Sequence, residues 1–376
     1  MGDKKKSGLL LTEGALRKRY PTSGLASKIC LLEEVTLRLP SRNISLNYHL
    51  GGGIKYGSIL EISGEESTGK SLMAMDFAVV AQSLGGIVLW DDAESTFDAK
   101  WALAHGVDLS KLELLPFENE FEKVSDWVAD MCVFYRRKFT NNEPILLVID
   151  SIALLETGDA MEIAEVDAKA EMGKRSFNMG KFLRKRMRIF AQYGICVILI
   201  NQMRKKVGAS KFEDPNTTPL EQAIKYYASQ RIGLFRGKKI KKGGKPKGPW
   251  VGNVVYIRTK KNKTAIPRDS IQAEVYFRKD GENFGYHKYH GFDELVVARG
   301  LIKRKMGRFY LDDKLIAQGE ANFKALIATN KDIRSQLIKK LKINTLTTTK
   351  NKLATIKTNL YPVRQKVKNS TDEGEE

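Results

Sequence analysis

The segment that most restricts this chain is Gly64-Glu65-Glu66-Ser67-Thr68-Gly69-Lys70-Ser71, which meets the pattern G-x-x-x-x-G-K-[ST] at every fixed position. The apolar run ILEIS precedes it and the helical pattern LMAMDFAVVAQ follows, the strand, loop and helix context in which the pattern has a mechanism. Its glycines let the backbone wrap a phosphate with N–H groups pointing inward, and a helix N-terminus adds a favourable dipole. Lys70 is then expected to reach the β- and γ-phosphates of ATP and Ser71 to ligate Mg²⁺.

The surrounding pattern suits an α/β fold. Short apolar runs at Ser58–Ser63, Gly86–Trp90, Ile145–Asp150 and Cys196–Asn201 read as strands buried on both faces of a parallel sheet. Helical patterns alternate with them at Ser71–Ser83 and Asn178–Phe190, the second carrying Met179, Phe182, Leu183, Met187 and Phe190 on one face. Beyond Arg231 the reading turns to β-rich segments, Arg231–Phe235, Asn253–Thr259 and Gln272–Arg278, interrupted by the lysine-rich loop GKKIKKGGKPKGP. Hairpins added to one sheet edge explain them. Four regions are expected: an N-terminal arm at 1–45, an ATPase core at 46–284, a small α+β module at 285–345, and a tail at 346–376, without structure of its own and ending in acids.

Strand ends carry the remaining candidates. Ile145–Ile149 closes on Asp150, placed to hold Mg²⁺ beside the phosphate loop. Trp90-Asp91-Asp92-Ala93-Glu94 offers three carboxylates, any of which is a candidate general base for the attacking water. Asn201-Gln202 ends another strand with an amide able to sense a γ-phosphate. Charge adds a second polyanion. The 64 Lys and Arg exceed the 44 Asp and Glu, a net +20, and the surplus gathers at Arg204, Lys205, Lys206 and Lys211 and again at Arg236, Lys238, Lys239, Lys241, Lys242, Lys245 and Lys247. Such clusters suit a nucleic-acid backbone. Cys30, Cys132 and Cys196 are too scattered for a disulfide framework or zinc site and read as reduced thiols. No apolar run reaches the roughly 18 residues of a membrane span, so a soluble, intracellular chain without membrane partners is expected.

In order, these segments resemble the RecA family of recombinases. LGGGIKYGSILEISGEESTGKS is similar to the family's lead-in strand and Walker A loop, VIDSIALL to its Walker B strand, and DAESTFDAKWALAHGVDLSKL to its catalytic-glutamate segment. The resemblance singles out Glu94 as the base and implies that Asp98 and Trp101 flank the adenine. INQMRKKVGASKFEDPNTTPLEQAIKYYASQRIGL resembles the stretch from the γ-phosphate-sensing glutamine, Gln202, through the second DNA loop. TKKNKTAIP is similar to the segment whose paired lysines, here Lys261 and Lys263, reach a neighbouring subunit's γ-phosphate, and FYLDDKLIAQGEANFKALIATN resembles the C-terminal module.

The resemblance implies an ATP-dependent filament on single-stranded DNA that pairs and exchanges strands with duplex DNA, in a prokaryotic or phage-infected cytoplasm, with loading or single-strand-binding partners. A hexameric helicase or motor, and an ATP-bound DNA-coating scaffold that does not hydrolyse, share part of the motif set. Departures mark a divergent, phage-type member: Glu156–Arg175 is a poor match for the first DNA loop, and Pro219-Leu220-Glu221-Gln222 stands where the family has a glycine pair.

Overall fold

The computed structural model describes residues 36–139, 142–156, 168–205, 216–267, 270–281, 283–356 and 360–361. Its centre is a nine-stranded sheet. In chain order the main elements are β1 (Ile59–Gly64), α1 (Lys70–Ser83), β2 (Ile87–Asp92), α2 (Ala99–Ala104), β3 (Leu112–Pro116), α3 (Phe121–Lys138), β4 (Ile145–Ile149), α4 (Ala168–Tyr193), β5 (Ile195–Gln202), α5 (Glu221–Tyr227), β6 (Gln230–Lys241), β7 (Trp250–Asn262), β8 (Ser270–Asp280) and β9 (Asn283–Tyr286). Across the sheet the order is β9-β8-β7-β6-β1-β5-β4-β2-β3. Strands β6, β1, β5, β4, β2 and β3 run parallel, and β7, β8 and β9 extend the β6 edge antiparallel. The sheet is thus mostly parallel with hairpins on one edge, the architecture expected of a RecA-like core.

Every residue of β1, β2 and β4 is buried, which is why these strands read as continuous rather than alternating apolar runs. One face is covered by α3 and α4, which bring Val124, Val128, Met179, Phe182, Leu183 and Phe190 onto Leu89, Leu147 and Val197. That face of α4 is the one the 3.6-residue spacing predicts, with Met187 at its margin. The parallel registers set Gly64 opposite Gln202 and Asp91 opposite Ile149. The carboxyl ends of β1, β5, β4 and β2 therefore meet along one edge, where ligands of such sheets bind.

Two stretches differ from the expected pattern. The lysine-rich segment 236–249 begins as strand rather than loop: β6 continues to Lys241, a short 3₁₀ turn spans Lys242–Gly244, and β7 starts at Trp250. Cross-strand pairing from Arg236↔Val255 to Lys241↔Trp250 holds it. Composition misleads there because lysine is a poor strand former, while the ladder and Lys239, whose Nζ lies 4.7 Å over the Trp250 ring, supply what propensity lacks. β3, together with α3, lay outside the expected elements; its half-exposed edge position gives a weak pattern.

The C-terminal module comprises α6 (Phe292–Ala298), an antiparallel sheet of β10 (Ile302–Lys305), β11 (Arg308–Leu311) and β12 (Lys314–Gln318), then α7 (Glu320–Thr329) and α8 (Lys331–Lys340). Its core joins Phe292, Val296, Phe309, Phe323 and Leu337, with the Phe309 and Phe323 rings stacked at 4.2 Å. The tail from 346, expected to be without structure of its own, begins with α9 (Leu346–Thr355), started by a capping box between Thr345 and Thr348. Cys132 and Cys196 are free and buried, as expected of reduced thiols, and burial pushes the Cys132 thiol up to about 12; Cys30, residues 1–35 and residues 362–376 lie outside the described residues.

Candidate nucleotide site and basic surfaces

At Gly64 β1 ends so close to its neighbours that a Cβ would stand 2.6 Å from Thr68 Oγ1 and 2.9 Å from the Leu234 carbonyl oxygen. Only glycine fits there. Glu65, Glu66 and Ser67 turn the chain with Ser67 at φ +55°, and Thr68, buried, donates its hydroxyl to the Glu65 carbonyl at 2.8 Å. Gly69 caps α1 at φ +90°, a value that favours glycine. The loop therefore delivers Lys70 and Ser71 on the first turn of a helix whose free N–H groups face the strand ends.

One open cavity over this loop is lined by Glu66, Ser67, Gly69, Lys70, Ser71, Glu94, Asp150 and Gln202. Lys70 Nζ donates to the Glu65 carbonyl at 2.9 Å. Burial holds its pKa below the ordinary lysine value, against the pull of Asp150, Glu94 and Glu66. Asp150 is raised to about 6, first by burial, while a hydrogen bond from Ser71 and the charge of Lys70 act the other way. Glu94 Oε1 is the meeting point of two donors, Ser151 Oγ at 2.6 Å and Gln202 Nε2 at 3.1 Å. Backbone bonds lock these ends together, from Glu94 N–H to the Asp150 carbonyl at 3.2 Å and from Met203 N–H to the Gly64 carbonyl at 3.0 Å.

The three acids after Trp90 separate by environment. Asp92 accepts the backbone N–H groups of Thr96 and Phe97 at 3.1 and 2.9 Å, closing the turn that presents Glu94. Asp91 is wholly buried with neither oxygen bonded among the described residues. Burial and the nearby Asp92, Glu118 and Asp150 push it up to about 8. Only Glu94 lines the cavity.

Other expected residues lie apart from it. Asp98 is exposed and caps α2, accepting from Trp101 N–H at 3.0 Å. Trp101 packs against His105 and Phe284, with ring centroids 4.6 and 5.5 Å away. Lys261 ends near the close of β7, its Nζ donating to the Lys225 carbonyl, and Lys263 falls just past the strand. The two lysines thus do not share the strand: the ladder stops at Asn262, and Lys263 N–H bonds the Ser229 carbonyl at 2.9 Å. Neither lysine lines the cavity.

Directly after Gln202, Arg204–Lys205 pairs antiparallel with Asn216–Thr217, forming a two-stranded stem. Arg204 is exposed; Lys206 and Lys211 lie outside the described residues. On the β6–β7 hairpin Lys238, Lys239 and Lys242 are exposed and Lys241 is half-buried. Two residues of the site escape sequence reasoning. Ser151 had a signal, its place beside Asp150. In the sequence Arg236 reads only as part of the basic cluster; its Nη2 donates to the Glu66 carbonyl at 2.7 Å across 170 residues of chain.

A parallel sheet with a phosphate-loop cradle, a strand-end aspartate beside the loop serine, and a glutamate after β2 held by the glutamine that ends β5, two strands away, defines a P-loop nucleotide-binding core. Residues 27–281 match the RecA N-terminal domain. The chain is 32% identical over 304 residues to the Protein RecA of Tropheryma whipplei, an alignment covering 81% of this chain but 65% of that protein. It is 33% identical over 313 residues to the Protein RecA of Mesomycoplasma hyopneumoniae, covering 81% and 86% of the two chains. To that of Fusobacterium nucleatum it is 31% identical over 325 residues, covering 85% and 80%. The chain belongs to the RecA family, as a divergent member.

Proposed function

We propose that this protein is an ATP-dependent DNA recombinase that assembles as a filament on single-stranded DNA and exchanges strands with a homologous duplex. The observation that carries the reading is the bond between Gln202 and Glu94 over the phosphate cradle, with the basic stem starting at the very next turn of chain. One connector joins a γ-phosphate sensor to a DNA-contacting surface.

The triphosphate lies along Gly64–Ser71, and Lys70 exchanges the Glu65 carbonyl for phosphate oxygens. Ser71 and Asp150 suit Mg²⁺, since a buried carboxylate whose charge is under-compensated sits against the loop hydroxyl. When bound, the ion neutralises charge on the β- and γ-phosphates. Glu94 takes a proton from the water that attacks the γ-phosphorus in line, and ADP with inorganic phosphate leaves. Gln202 lies against Glu94 and its backbone runs into the stem, so occupancy of the γ-site biases the stem's position. Asp98 and Trp101 are assigned to the adenine. Lys261 and Lys263, outside their own chain's cavity, reach the phosphates of a neighbouring subunit, which makes ATP part of the filament contact. The stem binds the single strand, and the lysines of the β6–β7 hairpin bind duplex DNA. No helix among the described residues is long and apolar enough to cross a membrane, and we assign the protein to the DNA-associated cytoplasm.

ATPase assays with and without single-stranded DNA, paired with negative-stain imaging in a non-hydrolysable analogue, test this. DNA-stimulated turnover and helical filaments are expected. Closed rings would replace the reading with a hexameric motor, and filaments without turnover with a passive scaffold.

A further inference from the structure

Glu61 lies on β1, ahead of the phosphate loop, and is wholly buried. A carboxylate at such a position is costly unless its oxygens are answered. Both are. Oε1 accepts the Asn201 side-chain N–H at 3.0 Å, and Oε2 accepts Arg231 Nε–H. Arg231, itself buried, turns its Nη2 to Glu221 Oε1 at 3.4 Å. The other oxygen of Glu221 accepts the Thr217 hydroxyl at 3.0 Å. Asn201 donates a second time, to the Pro219 carbonyl at 2.9 Å.

These bonds tie three things that the proposed chemistry uses separately. Glu61 belongs to the strand that feeds the phosphate loop. Asn201 immediately precedes Gln202. Thr217 is the cross-strand partner of Arg204 in the basic stem. The helix that Glu221 opens carries Lys225, whose carbonyl receives Lys261. Leu220, just before Glu221, is anchored in the apolar core at φ +60°. The start of α5 is thus pinned where a glycine pair would leave a hinge.

We propose that Glu221 and Arg231 are positioning residues that clamp the stem Arg204–Lys205/Asn216–Thr217 to the phosphate-loop strand, and that this clamp sets how strongly DNA changes turnover at the Glu94–Gln202 pair. The proposal rests on the recombinase reading above. The clamp touches neither nucleotide nor DNA. It limits the arrangements open to the stem, so that a change at Gln202 moves stem and loop together. Without the Glu221 charge the stem loses its tie to Arg231 while the cradle keeps all its own bonds.

The test uses the full chain and Glu221→Gln, which preserves size and the acceptor for Thr217 but removes the charge facing Arg231. Thermal midpoint and affinity for a fluorescent ATP analogue are expected to stay near the parent's, while the ratio of DNA-stimulated to basal turnover falls about fivefold or more. An unchanged ratio in a folded variant overturns the clamp, because a merely structural network would move the midpoint and leave the ratio alone. Should Glu221→Gln fail to fold, Thr217→Val removes only the outermost bond and is judged by the same ratio. A second readout does not depend on turnover: trypsin cleavage after Arg204 and Lys205, with and without the ATP analogue. The parent is expected to gain nucleotide-dependent protection that Glu221→Gln lacks. A parent without such protection, or a variant that retains it, overturns the proposal. A parent that shows protection but no DNA stimulation leaves the clamp standing and removes the recombinase reading instead.

Discussion

Asp91, Asp92 and Glu94 follow one another at the end of β2, and their chemistry diverges because their neighbours do. Glu94 faces the cavity with Ser151 and Gln202 on one oxygen. Glu94→Gln keeps the shape and removes the carboxylate: ATP binding is expected to persist and turnover to fall by roughly 10²–10⁴, and turnover at the parent rate would remove Glu94 from the proposed role of base. Asp91 has a different signature. Its folded-state value near 8 lies above the ordinary 3.8, so between those values the folded chain holds a proton the unfolded chain has released. Stability contributed at low pH is therefore lost as pH rises through that window. Asp91→Asn is expected to flatten this slope, gaining thermal stability over the parent at pH 8.5 and little at pH 4. Melting curves at the two pH values check it, and parallel shifts would show that Asp91 is not the titrating group.

Among the elements, the β6–β7 hairpin shows how pairing overrides composition. Its lysines read as loop, yet the ladder with β7 carries the strand to Lys241 and holds Lys238 and Lys239 in exposed places, with Lys242 exposed in the 3₁₀ turn that follows. An array of cations fixed on a stiff arm can follow a phosphate backbone, whereas a mobile loop would lose entropy on binding. Replacing Lys238 and Lys242 by Ala is expected to lower the slope of log affinity against log salt for duplex DNA by roughly 0.9 for each phosphate no longer neutralised, with single-strand-stimulated turnover retained. An unchanged salt slope would take the hairpin out of duplex binding. The helices were easier to read. In α1 the loop motif announces the start, and in α4 the apolar spacing marks the buried face.

At the scale of the whole molecule, the cavity is lined by Lys70, Ser71, Glu94, Asp150 and Gln202, while Lys261 and Lys263 stand outside it. Lysines that stand outside their own chain's cavity fit the subunit boundary proposed for them. The double substitution Lys261→Ala and Lys263→Ala is expected to leave analogue binding by the isolated chain within about twofold, and to abolish most filament formation and DNA-stimulated turnover, a loss of about 10-fold or more per phosphate-clamping cation. Light scattering and ATPase assays read both, and filaments of normal length and activity would place the lysines elsewhere. Part of the +20 net charge lies on the stem, the hairpin and this edge, and a large share of the rest falls in the C-terminal third of the chain.

The loop Gly64–Ser71, the apolar strands and the acid at 150 were legible in order along the chain, because each depends on local spacing: a glycine turn, a two-faced strand, a strand terminus. Motif order likewise carried the family. Spacing could not say which of three neighbouring acids faces the cavity, that Ser151 joins Glu94, or that Arg236 lies on the phosphate loop, because sheet register and burial determine those pairings across large sequence separations. The Glu61–Arg231–Glu221 chain is the clearest case. Four strands and a helix start must close around it before a charge in the middle of a parallel sheet has a partner, and no local pattern encodes that closure.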